Sequence, residues 1–272
     1  MFTNNSTITT PEEDSYILGI LQGDGSSSEQ SRNRGRIVLE LNSRDLDILT
    51  KIQAIVQREY NCTLNHRERA TNFTNGVSVK FSRIGIHDQE FRELIKPYLP
   101  VGKKSSDITP PANEPWFDLW GYLRGVFDAD GSIGISSKDK PFWSLCTSST
   151  DVRDIFIKAM KDTLGVDKHV NRNTRDRVYN ICLFDEDAVE FSSKMYEDAS
   201  IWLDRKHNKF VSELLTWKRT TSKRKGRRKP WTELDDKILN CAEYSIEEKM
   251  KLLNRSAKSI QSRWYKNKNN KN

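Results

Sequence analysis

Two aspartates in this chain sit where local physics disfavours them. Asp24 closes the run ILGILQGDG (17–25), and Asp130 closes LRGVFDADG (123–131), 106 residues later. Each follows apolar and small residues and precedes a glycine. A carboxylate in the last turn of a helix faces the negative end of the helix dipole. Two such carboxylates brought together repel unless a cation lies between them. Mg²⁺ accepts one or two carboxylates, keeps waters and takes phosphate oxygens as its other ligands. A repeat at fixed spacing predicts two similar half-domains. The duplicated acid predicts one composite site where they meet, suited to holding divalent metal over a phosphodiester.

The elements that must position these acids are legible nearby. Thr10-Pro11-Glu12-Glu13 reads as a helix start, with Thr10 as cap, Pro11 at the first turn and Glu13 completing a capping box. That helix is predicted to run to Gly25, and its counterpart from near Pro115 to Gly131. Gly19 and Gly23 share one face by the i,i+4 rule, and so do Gly125 and Ala129. A glycine in a helix interior costs about 1 kcal/mol. The matching small pairs predict that the two helices pack closely against each other.

Each helix is followed by strand-like alternation and then another helix. Ile37, Leu39 and Leu41 alternate with Arg36, Val38, Glu40 and Asn42, and Arg32 and Arg34 fall on the face of Arg36, Glu40 and Asn42. Arginines and amides are the usual readers of phosphates and base edges, so this face is predicted to meet nucleic acid. Helix LDILTKIQAIVQREY follows Asp45. In the second half SLCTSSTDVRDIFIKAMKDTLG repeats the strand-then-helix order, with Asp151 again 106 residues after Asp45. SVKFSRI matches VYNICLF as a later strand, and HDQEFRELIKPYL matches DEDAVEFSSKMYED as a later helix. The repeat thus spans 14–210, with 102–112 as the linker. The predicted division is 1–101, 102–112, 113–217, 218–229 and 230–266.

Composition narrows the partners. The net charge of +7 is uneven: residues 218–229, KRTTSKRKGRRK, hold eight basic and no acidic residues, and 1–217 carry −4. A short basic run of this kind contacts polyanions or is a solvated linker. No stretch is long and apolar enough for a membrane span, and the first residues lack a signal pattern. Four scattered cysteines without a CxxC motif predict reduced thiols in an intracellular protein. Bacterial or phage-infected cytoplasm is the expected setting ahead of an organelle, a preference that does not come from the cysteines.

The two motifs and their placement closely resemble the LAGLIDADG homing endonucleases of the single-chain, two-repeat kind, over about residues 14–215. The first copy departs from the family string most notably at Gln22, where the second has Asp128. The resemblance implies an α+β fold of two αββαββα halves related by a pseudo-two-fold axis, with sheets forming a saddle over double-stranded DNA and motif helices forming the interface. It implies that Asp24 and Asp130 ligate Mg²⁺ (or Mn²⁺), and that a monomer cuts both strands across the minor groove, leaving short 3′ extensions. The family's basic residue near each active site matches Lys104 and Lys206, with Lys103 and Arg205 beside them. Such a lysine polarises water or neutralises phosphate. Ser43 and Ser149 stand at the strand ends where the family often carries a water-positioning glutamine. On the second sheet Ser144, Cys146 and Ser148 are the matching DNA-facing residues.

Residues 230–266 read as three short helices with stripes Trp231/Leu234/Ile238, Ile246/Met250/Leu253 and Ile260/Trp264, the last helix capped by Ser256. Trp231 and Trp264 are expected in its core. The segment resembles a Myb/SANT-like helix-turn-helix through Trp231-Thr232, Asp235-Asp236, Arg255-Ser256 and Arg263-Trp264. It lacks the middle tryptophan. The resemblance places Lys258, Ser259, Gln261 and Ser262 in a major groove; a SANT-type protein contact is the other reading. Of the functions open to the whole chain, the leading one is a site-specific endonuclease. An RNA maturase on the same scaffold and a non-cutting DNA-binding regulator are the others. The two intact aspartates argue against the last.

Overall fold

The computed structural model describes residues 1–2, 9–31, 34–70, 78–102, 106–219, 231–241 and 243–269. They form two compact units, Met1–Trp217 and Lys218–Asn272. Lys103, Lys104, Arg32 and most of the basic run 218–229 lie outside the described residues, as does the side chain of Lys258. Among the described residues no helix is long and apolar enough to cross a membrane.

The larger unit has a mixed α/β architecture. Its first part runs α1 (Pro11–Asp24), β1 (Gly25–Gln30), β2 (Arg34–Asn42), α2 (Leu46–Val56), β3 (Cys62–Ala70), β4 (Ser78–Ile86) and α3 (Gln89–Ile95). The strands pair antiparallel in the order β1-β2-β4-β3. Its second part runs α4 (Leu119–Asp130), β5 (Gly131–Ile135), β6 (Pro141–Thr147), α5 (Thr150–Leu164), β7 (Tyr179–Phe184) and α6 (Asp185–Tyr196), with sheet order β5-β6-β7. Before β7 there is only an isolated bridge, Arg172 to Tyr179, where the repeat predicts a fourth strand. The segment 165–177, GVDKHVNRNTRDR, is almost wholly polar, and only Val166 and Val170 pack on the core. It lacks the apolar alternation that would hold a strand to one face. After α6 come α7 (Asp204–Lys209) and a π-helical turn, Phe210–Leu214.

The helix starts follow from their caps. Thr10 and Glu13 form the capping box of α1. Helix α4 begins later than Pro115, because Asp118 accepts from the Gly121 amide at 2.6 Å and so fixes the first turn. One hydrophobic core runs through both parts. It takes Tyr16, Ile17 and Ile20 from α1, Tyr122, Leu123 and Phe127 from α4, and Trp143 beneath the second sheet.

The smaller unit holds α8 (Glu233–Asn240), α9 (Ile246–Leu253) and α10 (Ala257–Asn269) around Leu239, Leu253 and Ile260, with Trp231, Ile238 and Met250 packed against them. Three residues of the predicted stripes are outside: Leu234 is 66% exposed, and Ile246 and Trp264 are each 43% exposed. Helix α10 turns Ile260, Arg263 and Asn267 inward instead. Arg263 donates to Asp236 at 2.9 and 2.5 Å, and Asn267 donates to the same carboxylate at 2.9 Å. Trp264, one residue round from Arg263, is thereby turned away. Trp231 is covered by the Arg255 guanidinium, 4.1 Å from its ring centre.

Candidate active site and nucleic-acid interface

Helices α1 and α4 meet along their small residues. A Cβ at Gly19 would lie 2.5 Å from the Tyr122 carbonyl oxygen and 2.9 Å from the Val126 nitrogen. One at Gly125 would overlap the Tyr16 carbonyl, and one at Gly23 would overlap the Cβ of Ala129. Backbone therefore faces backbone, as the glycine spacing predicts. Hydrogen bonds cross the same contact in matching pairs. The Tyr16 hydroxyl donates to Asp128 at 2.7 Å, and the Tyr122 hydroxyl donates to the Gln22 amide oxygen at 2.6 Å. Gln22 thus fills the place of Asp128 as an acceptor at the interface.

The packing delivers Asp24 and Asp130 to neighbouring helix ends. A Cβ at Gly23, beside Asp24, would lie 3.4 Å from a carboxylate oxygen of Asp130. Both aspartates are exposed. Each stands at a helix C-terminus, where the dipole adds to the negative field. Lys206 lies beneath this end of the pair. It is 3% exposed and donates to the Phe127 carbonyl at 2.5 Å and the Asp128 carbonyl at 2.9 Å. Burial lowers its pKa to about 8; Asp128, Asp24 and Asp130 oppose that shift, and Arg205 adds to it. Asp128 is also buried. Its pKa rises to about 6 by desolvation, against the pull of Lys206, the Tyr16 hydroxyl, the Leu203 amide and Arg124. The lysine therefore feels both terminal aspartates.

The donor set suits a hard divalent cation. Two exposed carboxylates and two helix C-termini converge. Among the described residues no group of three or more His, Cys, Asp or Glu side chains forms a self-sufficient metal site. An ion held here would complete its shell from water and phosphate, as Mg²⁺ does.

The open face of the first sheet is set by register. Ile37, Leu39, Ile84 and Ile86 point into the core, so Arg34, Arg36, Val38, Glu40 and Asn42 share the other face. Register adds residues that the sequence reading left out. Arg83 stands between Glu40 and Asn65, and Arg67 opposite Phe81, all on the same face. Glu40 is ion-paired with Arg67. Asn42 accepts from the Arg44 amide at 3.0 Å, which ties its oxygen to the 3₁₀ turn Ser43–Asp45. Alternation in LNHRERA and SVKFSRI was the available signal for Asn65, Arg67 and Arg83. On the second sheet Ser144 and Cys146 stand opposite Cys182 and Asn180. Partial burial raises the Cys146 thiol pKa, and nearby Asp130 and Asp176 add to it, so this face adjoins the acidic site. Ser148 lies just beyond β6, its carbonyl accepting from Arg172 at 2.9 Å.

The two serines at the strand ends are otherwise engaged. Ser149 is 1% exposed, caps α5 by accepting from Val152 and donates to Ile108. Ser43 shares a hydrogen bond with Ser82 at 3.0 Å. In the smaller unit Gln261 and Ser262 are exposed on α10, and Ser259 lies in its first turn, where its amide donates to the Ser256 hydroxyl.

Paired small-faced helices ending in acids, flanked by antiparallel sheets, define a LAGLIDADG homing-endonuclease-like fold for the larger unit. The homing endonuclease I-WcaI, solved bound to its DNA recognition sequence, is similar with a TM-score of 0.53 and 15% identity, over 74% of this chain and 88% of that one. The I-SmaMI LAGLIDADG homing endonuclease, solved bound to cleaved DNA, gives a TM-score of 0.46 and 12% identity, over 75% and 87%. No family model matches the sequence, and no curated protein is similar to it by sequence.

Proposed function

We propose that this chain is a site-specific, metal-dependent DNA endonuclease that makes double-strand breaks with short 3′ overhangs. The observation that carries the reading is the pair Asp24 and Asp130, exposed at adjoining helix ends above buried Lys206. In this reading 1–101 and 113–217 are pseudo-two-fold-related halves whose sheets form the saddle. Asp24 and Asp130 would hold Mg²⁺ or Mn²⁺, and the bound ion supplies charge neutralisation at the scissile phosphate and lowers the pKa of attacking water. Lys206, nearly dry and with a pKa near 8, stabilises negative charge at the phosphate or takes up a proton from water. Lys104 is assigned the same role in the first half. Arg34, Arg36, Arg67, Arg83 and Asn65 contact one half-site, and Ser144, Cys146, Asn180 and Cys182 the other. The faces differ in charge, so the target is long and not palindromic. One chain carries both half-sites and acts as a monomer inside the cell. The smaller unit is a Myb/SANT-like reader of flanking DNA through Lys258, Ser259, Gln261 and Ser262.

The test is cleavage of a randomised duplex library in Mg²⁺, with sequencing of the ends. Recovery of one long, asymmetric motif cut on both strands is expected. Uncut libraries in Mg²⁺ and Mn²⁺ would remove the endonuclease reading.

A further inference from the structure

Lys206 is carried into place on a strap, residues 200–206, each of which is fastened to another element. The Ser200 amide and hydroxyl donate to Glu12 of α1 at 2.8 and 2.6 Å. The Ile201 carbonyl accepts from Arg124 of α4 at 2.7 Å, and the Trp202 carbonyl from Lys51 of α2 at 2.9 Å. The Leu203 amide donates to Asp128 at 2.8 Å. The Asp204 amide donates to Asp47 at 2.8 Å, while its carboxylate meets Lys51 at 2.5 Å. Arg205 donates to Asp45 at 2.8 and 3.1 Å, and Lys206 to the end of α4. Four of the fastening residues, Glu12, Asp45, Asp47 and Lys51, belong to the first half of the chain.

Asp45 is the one closest along the strap to the lysine. It is 7% exposed and stands at the N-cap of α2, yet its side chain makes no capping bond. The carboxylate is used on Arg205 instead. A two-point carboxylate–guanidinium pair fixes direction as well as distance. Arg205 is the chain neighbour of Lys206, so the pair sets where the lysine enters the helix interface.

We propose that Asp45, acting through Arg205, is a positioning residue for Lys206, so that the first half of the chain places the lysine of the second. The inference rests on the role given to Lys206 above. It predicts that loss of the pair slows one strand's cleavage and leaves the other, because only one pocket loses its lysine. Misplacement by about 1 Å can cost about 10²-fold.

Two folded variants, Asp45→Ala and Arg205→Gln, test it with two readouts. Asp45→Ala can loosen the start of α2, whereas Arg205→Gln leaves that cap residue in place. On a supercoiled plasmid carrying the sequence selected from the library, both variants should accumulate nicked circle, with linearisation slowed about 10²-fold. In reductive methylation with formaldehyde and borohydride, read by peptide mass spectrometry, Lys206 should change from protected to modified in both. The methylation readout needs no cleavage. If the wild type cuts nothing, the endonuclease reading fails while labelling still decides the strap. Unchanged Lys206 protection in either folded variant, or wild-type linearisation without nicked circle, overturns the proposal.

Discussion

The Tyr16 hydroxyl donates to the Asp128 carboxylate across the α1–α4 contact at 2.7 Å, and Tyr122 makes the corresponding bond to Gln22 at 2.6 Å. Each partner is 106 residues from its counterpart. One bond ends on a charged group and the other on a neutral amide. Tyr16→Phe should therefore be the costlier change, because it strips a buried carboxylate of a donor. A lost bond to a charged group is worth about 1.5–3 kcal/mol, against about 1 kcal/mol for a neutral one. Denaturant melts of Tyr16→Phe and Tyr122→Phe measure the difference, and equal losses would mean that Asp128 is not charged in the folded protein.

Asp24→Asn and Asp130→Asn should each abolish double-strand cutting while leaving duplex binding in Ca²⁺ nearly intact. Both side chains are exposed, so neither substitution opens the core. Near wild-type cutting of both strands by either variant would show that the carboxylate is not an essential ligand.

Gly19→Leu or Gly125→Leu should misfold the protein or separate α1 from α4. Even the Cβ at Gly19 would sit 2.5 Å from the Tyr122 oxygen, which is backbone and does not swing aside. Overpacking of a well-packed contact costs about 1–3 kcal/mol. Unchanged thermal midpoints would contradict the close approach.

Lys206 gives a pH signature in stability. Its folded pKa is lowered to about 8 from the ordinary value of 10.5. Between those values the unfolded chain holds a proton that the folded chain has lost, so stability rises with pH across that window. The contribution is complete above the unfolded value and is lost as pH falls through the folded one. Lys206→Met should remove this rise. Unfolding free energies of the two proteins from pH 8 to 10.5 make the comparison, and parallel curves would refute it.

Truncation after Trp217 removes the basic run and leaves a unit of charge −4. Affinity for DNA at moderate salt should fall strongly, and the slope of log affinity against log salt should drop by about 0.9 per lost phosphate contact. The truncated protein should still cut the same central position at higher concentration. Equal slopes, with flanking preference unchanged, would assign the smaller unit to protein contact.

Features that depend on near neighbours along the chain could be read from the residues alone. The capping box at Thr10 and Glu13, the i,i+4 pairing of small residues and the Asp-Gly stops all act within a few residues, so α1, α4 and their tight face were legible, as was the duplication. Strand alternation likewise gave the open face of β2. What those elements meet is set by packing between segments far apart in the chain. Asp45 reads as a helix-opening acid, yet its carboxylate is taken by Arg205, 160 residues away. Lys206 is matched to an active-site lysine only through the family resemblance, and packing against α4 makes it nearly dry with a lowered pKa. Trp264 reads as core, but Arg263 and Asn267 claim the inward face of α10 through Asp236. Local rules fix backbone geometry through bonds a few residues long; burial and pairing depend on which distant surface arrives, and that is set by the fold as a whole.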